Sequence, residues 1–214
     1  MTDRSRSATT TSRSPRRAPV QQRSRERVEA ILAAAHELIV DRGSDALKMS
    51  DIAAAAGVPI GSLYQYFPDK AAILRELAVR FMARVRSMLG EGLAGIVDKG
   101  DALARMDALI AGYYQLFLDE PDIRDVWAAT QSDKELQLLD IDDSRANGQI
   151  VFNAIEHLVP PSQHERLAAV TFLFTHLAGA AARLAIAVDR VQADRMMMEF
   201  RAVLARHLDE LIPG

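Results

Sequence analysis

The sequence predicts an all-α protein in which a unit of short helices near the N-terminus precedes a larger helical body. Three observations predict this. Apolar residues recur at spacings of three and four along most of the chain. Glycine and proline interrupt these runs at intervals of a helix length. No stretch alternates apolar and polar residues between turn signals, as a half-buried strand would.

The elements follow in order. Residues 1–22 are rich in Arg, Ser, Thr and Pro and poor in apolar residues, which predicts a disordered arm. A helix starts near Ser24, with Val28, Ile31, Leu32, Ala35, Leu38 and Ile39 on one stripe, and Gly43 stops it. Ile52, Ala53 and Ala56 form one face of a short helix that Gly57 ends. Pro59 restarts the chain, and Leu63 and Tyr64 lie on the next short helix, broken at Phe67-Pro68-Asp69. Asp69 suits the N-cap of a long helix carrying Ile73, Leu74, Leu77, Phe81, Val85 and Leu89. Four glycines loosen residues 90–100. Helices are then expected over 102–118, from Pro121 through Trp127, over 134–158 up to Pro160-Pro161, over 162–188 and over 190–211.

Composition narrows the function classes. The 214 residues are 49% hydrophobic and contain no cysteine, so a core is available, a disulfide framework is excluded, and the cytoplasm is the expected compartment. The N-terminus lacks the apolar core of a secretory signal. The net charge of −3 conceals an asymmetry. Residues 1–27 carry eight arginines against Asp3 and Glu26, a balance of +6, which leaves −9 on the remainder. A basic arm on an acidic body implies that one end meets a polyanion. Residues 167–188 approach the length of a membrane span, yet His176 and Arg183 interrupt them and six alanines among residues 178–187 dilute them. A helix between a core and a partner subunit fits better, so no membrane is expected.

Residues 48–74 carry the chemistry. Two short helices joined by a tight turn need a left-handed residue, supplied by Gly57, and small residues where the helices cross, supplied by Ala53 and Ala56. Ile52, Val58 and Leu63 anchor the pair. The remaining positions of the second helix are polar or small (Gly61, Ser62, Gln65, Tyr66), as a helix lying in a major groove requires.

The run Ile52-Ala53-x-x-Ala56-Gly57-Val58, then Gly61-Ser62-Leu63-Tyr64-x-Tyr66-Phe67, then Lys70, resembles the TetR family of bacterial transcriptional regulators. The resemblance is tight over 27 residues and looser from Arg27 to Leu89. It implies a helix-turn-helix DNA-binding domain over 23–69 and a ligand-sensing, dimerising helical domain over 70–214. It further implies that Tyr64 and Tyr66 contact phosphates or thymine methyls, and that Ser62 and Gln65 reach base edges. Gly61 would let the helix end approach the sugar-phosphate backbone. Lys70 would bind a phosphate, and Lys48 and Ser50 would touch the opposite backbone wall. The family often has Thr at the position of Lys48 and Ser or Thr at that of Pro59. The function so implied is a ligand-responsive regulator, a repressor by analogy, that binds a palindromic double-stranded operator as a dimer and releases it for a small, largely apolar effector. A ligand-independent architectural DNA-binding protein is the alternative.

For the effector, Tyr113, Phe117, Trp127, Phe152, Phe172 and Phe174, beside Gln131, Asn153 and His176, would line a mostly apolar cavity. Asp140-Ile141-Asp142-Asp143 lacks a calcium-loop pattern and is expected to be a solvated acidic face, balanced by Lys134 and Arg145. No metal or cofactor is implied, and no nucleophile–base arrangement suggests an enzyme. The last two helices are expected to form the homodimer interface. Ala178, Ala182 and Ala185 would be its small-residue seam. Val191, Met198, Phe200, Val203, Leu204, Leu208 and Leu211 would be its bulk.

Overall fold

Helix boundaries in the computed structural model follow the caps written in the sequence; the structure describes residues 17–120, 123, 126, 127 and 134–213. Among these no strand occurs. The first helix, α1 (Arg17–Arg42), ends at Gly43, whose φ of 78° only glycine adopts readily. It begins seven residues before the expected Ser24. Residues 17–22 therefore continue the helix, because Gln and Arg sustain one well and Pro19 falls in the first turn, where no N–H is missed.

Helices α2 (Met49–Ala55) and α3 (Ile60–Tyr66) meet at Gly57, again left-handed with φ 65°. Lys48 stands at the N-cap of α2 and makes no side-chain cap, and Pro59 stands at the N-cap of α3. Asp69 caps α4 (Lys70–Gly92) by accepting from the Ala72 N–H at 2.8 Å. Asp98 caps α5 (Lys99–Asp119) in the same way. Helix α6 (Lys134–Ile155) tightens into a 3-10 turn over Glu156–Leu158 before the prolines. A second such turn, Pro161–Gln163, leads into α7 (His164–Ala185), and Asp189 caps α8 (Arg190–Leu211). Ile123, Val126 and Trp127, from the helix expected after Pro121, are helical and buried.

Three apolar clusters order the molecule. The head formed by α1–α3 packs Ile31, Ile39, Ile52, Leu63 and Phe67 against Ile73 and Leu74 of α4, joined by Val126 and Leu136 from the body. The body buries one face each of α5–α8. Between them lies an aromatic cluster in which Phe81 meets Phe117, Trp127 and Tyr113 at ring-centroid distances of 5.5, 6.3 and 6.4 Å.

Helix α7 meets the length and apolarity of a membrane span, but Leu167, Thr171, Phe174, Gly179, Ala182 and Ala185 turn one face into the body, against α5, α6 and α8. It packs closest on α6. A Cβ on Gly148 would lie 2.8 Å from the Phe172 Cα, which is backbone and cannot swing aside.

Gly148→Ala sets two effects against each other. Alanine gains up to about 1 kcal/mol of helix propensity, whereas overpacking a tight contact costs about 1–3 kcal/mol. The clash is with backbone, so we expect a net loss of about 1–2 kcal/mol in urea unfolding, and an unchanged or raised midpoint would show that α6 and α7 separate freely.

Candidate nucleic-acid interface and ligand cavity

The third helix of the head, α3, presents its polar face outward. Leu63 is buried and Phe67 closes the core behind it, while Tyr64 is 51% exposed and Gln65 is exposed. Ser62 is half-buried. Gly61 is exposed, and a Cβ there would meet nothing within 4 Å, nor is its φ positive. Glycine costs about 1 kcal/mol against alanine inside a helix, and the fold of this chain gives no reason for it. Lys48 and Ser50 are exposed at the start of α2, with the Ser50 hydroxyl donating to Asp51 at 3.2 Å.

Two of the expected residues also tie the head together, which the sequence did not reveal. The Ser24 hydroxyl donates to the Tyr66 oxygen at 3.3 Å, linking α3 to α1. That bond, with Arg27 nearby, holds the Tyr66 phenol below its usual value. The Lys70 ammonium donates to the Ser44 carbonyl at 3.1 Å and approaches that of Asp45 at 3.5 Å, joining the start of α4 to the turn after α1. Both are tertiary contacts without a local signature.

A cavity of about 100 Å³ lies between α4, α5, α6 and α7, with Leu204 and Leu208 of α8 in its wall. Of the residues expected there, Tyr113, Trp127 and Phe174 line it. Phe117 lies directly behind, edge-on to Tyr113 at 5.1 Å. His176 stands one residue further back, its Nδ1 bonded to the Ser144 hydroxyl of the wall at 3.1 Å. Phe152 packs edge-on to His164, Asn153 is exposed and accepts from Gln149, and Phe172 lies under the Arg145 guanidinium, so these three are not brought to the wall. Gln131 lies outside the described residues.

The polar wall was missed, and here one expectation is corrected. Asp140 and Asp143 line the cavity rather than forming a solvated face, and Asp143 is 9% exposed. Their partners are not Lys134 and Arg145 but arginines of other helices. Asp143 pairs with Arg86 of α4 and accepts from the Asn147 amide at 2.8 Å, and Asp140 faces Arg183 of α7 at 3.7 Å. Arg183 in turn lies 5.2 Å over the Trp127 ring. Burial pushes the Asp143 carboxyl up, against the pull of Arg86 and Asn147. Burial likewise pushes the Tyr113 phenol well above its usual value. Sequence periodicity places Asp140 and Asp143 on one face of α6, together with Asn147 and Ser144, and that shared face was the available signal.

The expected small-residue seam is also corrected. Ala182 is fully buried in the aromatic cluster, Ala185 is buried in the body and Ala178 lines the cavity. Leu204, Leu208 and Leu211 are likewise core. What α7 and α8 turn outward is larger: Leu173, Leu177 and Leu184, with Val191, Met198 and Val203. Helical phase decides this, since one residue's shift moves a side chain by about 100° around the axis.

Comparison with known proteins bears on both regions. Residues 31–77 match the family model described as bacterial regulatory proteins, tetR family, and residues 100–212 match the one described as tetracyclin repressor-like, C-terminal domain. No curated protein matches the sequence. Among solved structures, the fold is similar to a TetR-family transcriptional regulator from Pectobacterium atrosepticum (TM-score 0.67, 19% identity, covering 91% of this chain and 98% of that one). It is also similar to one from Streptomyces coelicolor (0.62, 24%, 89% and 99%). A third similar structure is SmeT in complex with triclosan (0.64, 14%, 88% and 92%).

Asp143 gives a pH signature. A carboxyl raised by burial keeps its proton more readily folded than unfolded, so its contribution to stability falls as pH rises from the ordinary aspartate value, about 3.9, through the raised one. Asp143→Asn removes that fall. The unfolding free energy of the parent minus that of the variant is expected to decline across this window in urea titrations at stepped pH; a flat or rising difference would contradict the burial argument.

Proposed function

The chain belongs to the tetR family of bacterial regulatory proteins, and on that premise we propose that it is a cytoplasmic repressor that binds a palindromic operator as a homodimer and releases it when a small, largely apolar effector fills the cavity. One observation carries this reading. Helix α4 begins at Lys70 in the head and contributes Phe81, Met82, Val85, Met88 and Leu89 to the cavity wall, so one rigid element belongs to both regions. A ligand that displaces the wall displaces the start of α4, and with it the head. The cavity itself favours ligand response over an architectural role, and the triclosan bound by SmeT is consistent with a fold that admits small apolar molecules.

On this reading Tyr64, Gln65, Ser62 and Gly61 meet the major groove, while Lys48 and Ser50 meet the flanking phosphates. Tyr66 and Lys70 have dual duty, because their contacts within the head also set its shape. Two heads must lie about 34–36 Å apart to read one face of a duplex, which a two-fold dimer provides. The outward apolar faces of α7 and α8 supply its surface. Exposed leucines at 173, 177 and 184 follow helical spacing, and a row of this kind normally marks a partner.

Two experiments test the proposal. A duplex selected from random sequences should bind in gel-shift titration, and Tyr64→Ala and Gln65→Ala should each weaken it by about 5- to 150-fold, the span of 1–3 kcal/mol per lost base contact. Both side chains are exposed, so helicity should be unchanged, and undiminished affinity would reject the assigned face. Leu177→Glu combined with Leu184→Glu should give a folded monomer by sedimentation that no longer binds the duplex; a persistent dimer would move the interface elsewhere.

A further inference from the structure

The cavity is apolar except on one wall, and the hydrogen-bond inventory of that wall is uneven. Asn147 is 7% exposed and lines the cavity. Its Nδ2 donates to the Asp143 carboxylate at 2.8 Å, which fixes the amide orientation, because a flipped amide would set oxygen against oxygen. Its Oδ1 is therefore the free end, and it is buried without a hydrogen-bond partner among the described residues. A buried acceptor left unmet is costly, because it has given up its water without a replacement.

The neighbouring donors are already committed. The Thr171 hydroxyl donates to the Ala168 carbonyl and that of Thr175 to the Ser144 carbonyl at 2.8 Å. Ser144 is engaged with His176. Arg86 and Arg183 face Asp143 and Asp140, so the two acids and two arginines balance and no net positive charge is left for an anion. The wall thus has an acceptor to satisfy and no spare cation. Tyr113 also lines the cavity, and burial holds its phenol toward the protonated form, a hydrogen-bond donor.

We propose that the effector is a neutral hydroxyl compound on an apolar body, an alcohol or a phenol, whose O–H is received by Asn147 Oδ1. This rests on the reading of the cavity as the effector site. Size sets an upper bound: an apolar cavity of about 150 Å³ holds a benzene molecule, so one of about 100 Å³ admits at most a body of one ring, and only as Met82, Met88 and Met106 yield. A carboxylate is rejected, since it would face Asp140 and Asp143 and offer Asn147 no proton.

Trp127 is the only tryptophan of the sequence and lines the cavity, so its fluorescence reports occupancy in the full chain. The probes are p-cresol, p-xylene, in which a methyl replaces the hydroxyl, and p-toluate, in which a carboxylate does. Transfer from water favours p-xylene, so tighter binding of p-cresol can come only from polar recognition. The parent is expected to bind p-cresol at least about fivefold more tightly than p-xylene, with p-toluate at least about tenfold weaker than p-cresol. Asn147→Leu should reverse the order of the first two. Equal or tighter binding of p-xylene by the parent overturns the proposal without any variant, and so does a cresol preference that survives in a folded Asn147→Leu. If none of the three probes changes Trp127 fluorescence, the cavity reading itself fails, and the proposal with it.

Discussion

Everything in this molecule hinges on α4 being shared between two cores. Ile73, Leu74 and Ala78 bury its first half in the head, and Phe81, Met82 and Val85 bury its second half beside the cavity. Burying side chains of this size contributes about 1.5–3 kcal/mol each, so neither end detaches cheaply. Polar links add direction. Arg80 reaches Glu29 of α1 and Glu76 of its own helix, while Arg86, less than two turns on, reaches Asp143 in the cavity wall. On the proposed reading, a change at the wall would therefore be delivered to α1 and to the Lys70 contact with the turn after α1. Packed cores resist continuous deformation, so such a helix moves as a unit.

The sequence made the head legible because its determinants are local. Gly57 must be left-handed, Asp69 must cap, and Ile52 and Leu63 must point inward, and each of these is a statement about a residue and its near neighbours. The start of α1 was misjudged because composition predicts arm or helix according to where the apolar stripe begins, and residues 17–22 are helix formers without one. In the body the elements were legible but the faces were not. The alanines of α7 resemble a seam for a partner, yet Ala182 and Ala185 are consumed by the chain's own core. A small residue marks close approach and does not say which neighbour approaches.

Cavity walls were the least legible region, for an electrostatic reason. Four acidic or amide positions on α6, Asp140, Asp142, Asp143 and Asn147, look solvated when only their own helix is considered. The charges that allow Asp140 and Asp143 to face inward come from Arg183 and Arg86, more than forty residues away in sequence. Asp142, without such a partner among the described residues, remains exposed. Aromatic content was a better guide, since Tyr113, Phe117 and Trp127 do gather at the cavity, but Phe152 and Phe172 fall on other faces of their helices.

The buried carboxylate also has an energetic logic. A pair such as Asp143 and Arg86 gains little over apolar packing, because desolvation offsets most of the attraction. Its return is geometric. Asp143 takes the Asn147 N–H and thereby orients the amide, and Arg86 opposes the upward push of burial on Asp143 while tying α4 to α6. The same ion pair thus positions the proposed recognition atom and fastens the element that, on the proposed reading, carries motion to the head. On the proposed reading, a ligand bonded to Asn147 Oδ1 is joined through Asn147 to Asp143 and through Asp143 to Arg86 of α4, so polar recognition in the cavity and displacement of the head would be coupled through a single short chain of contacts.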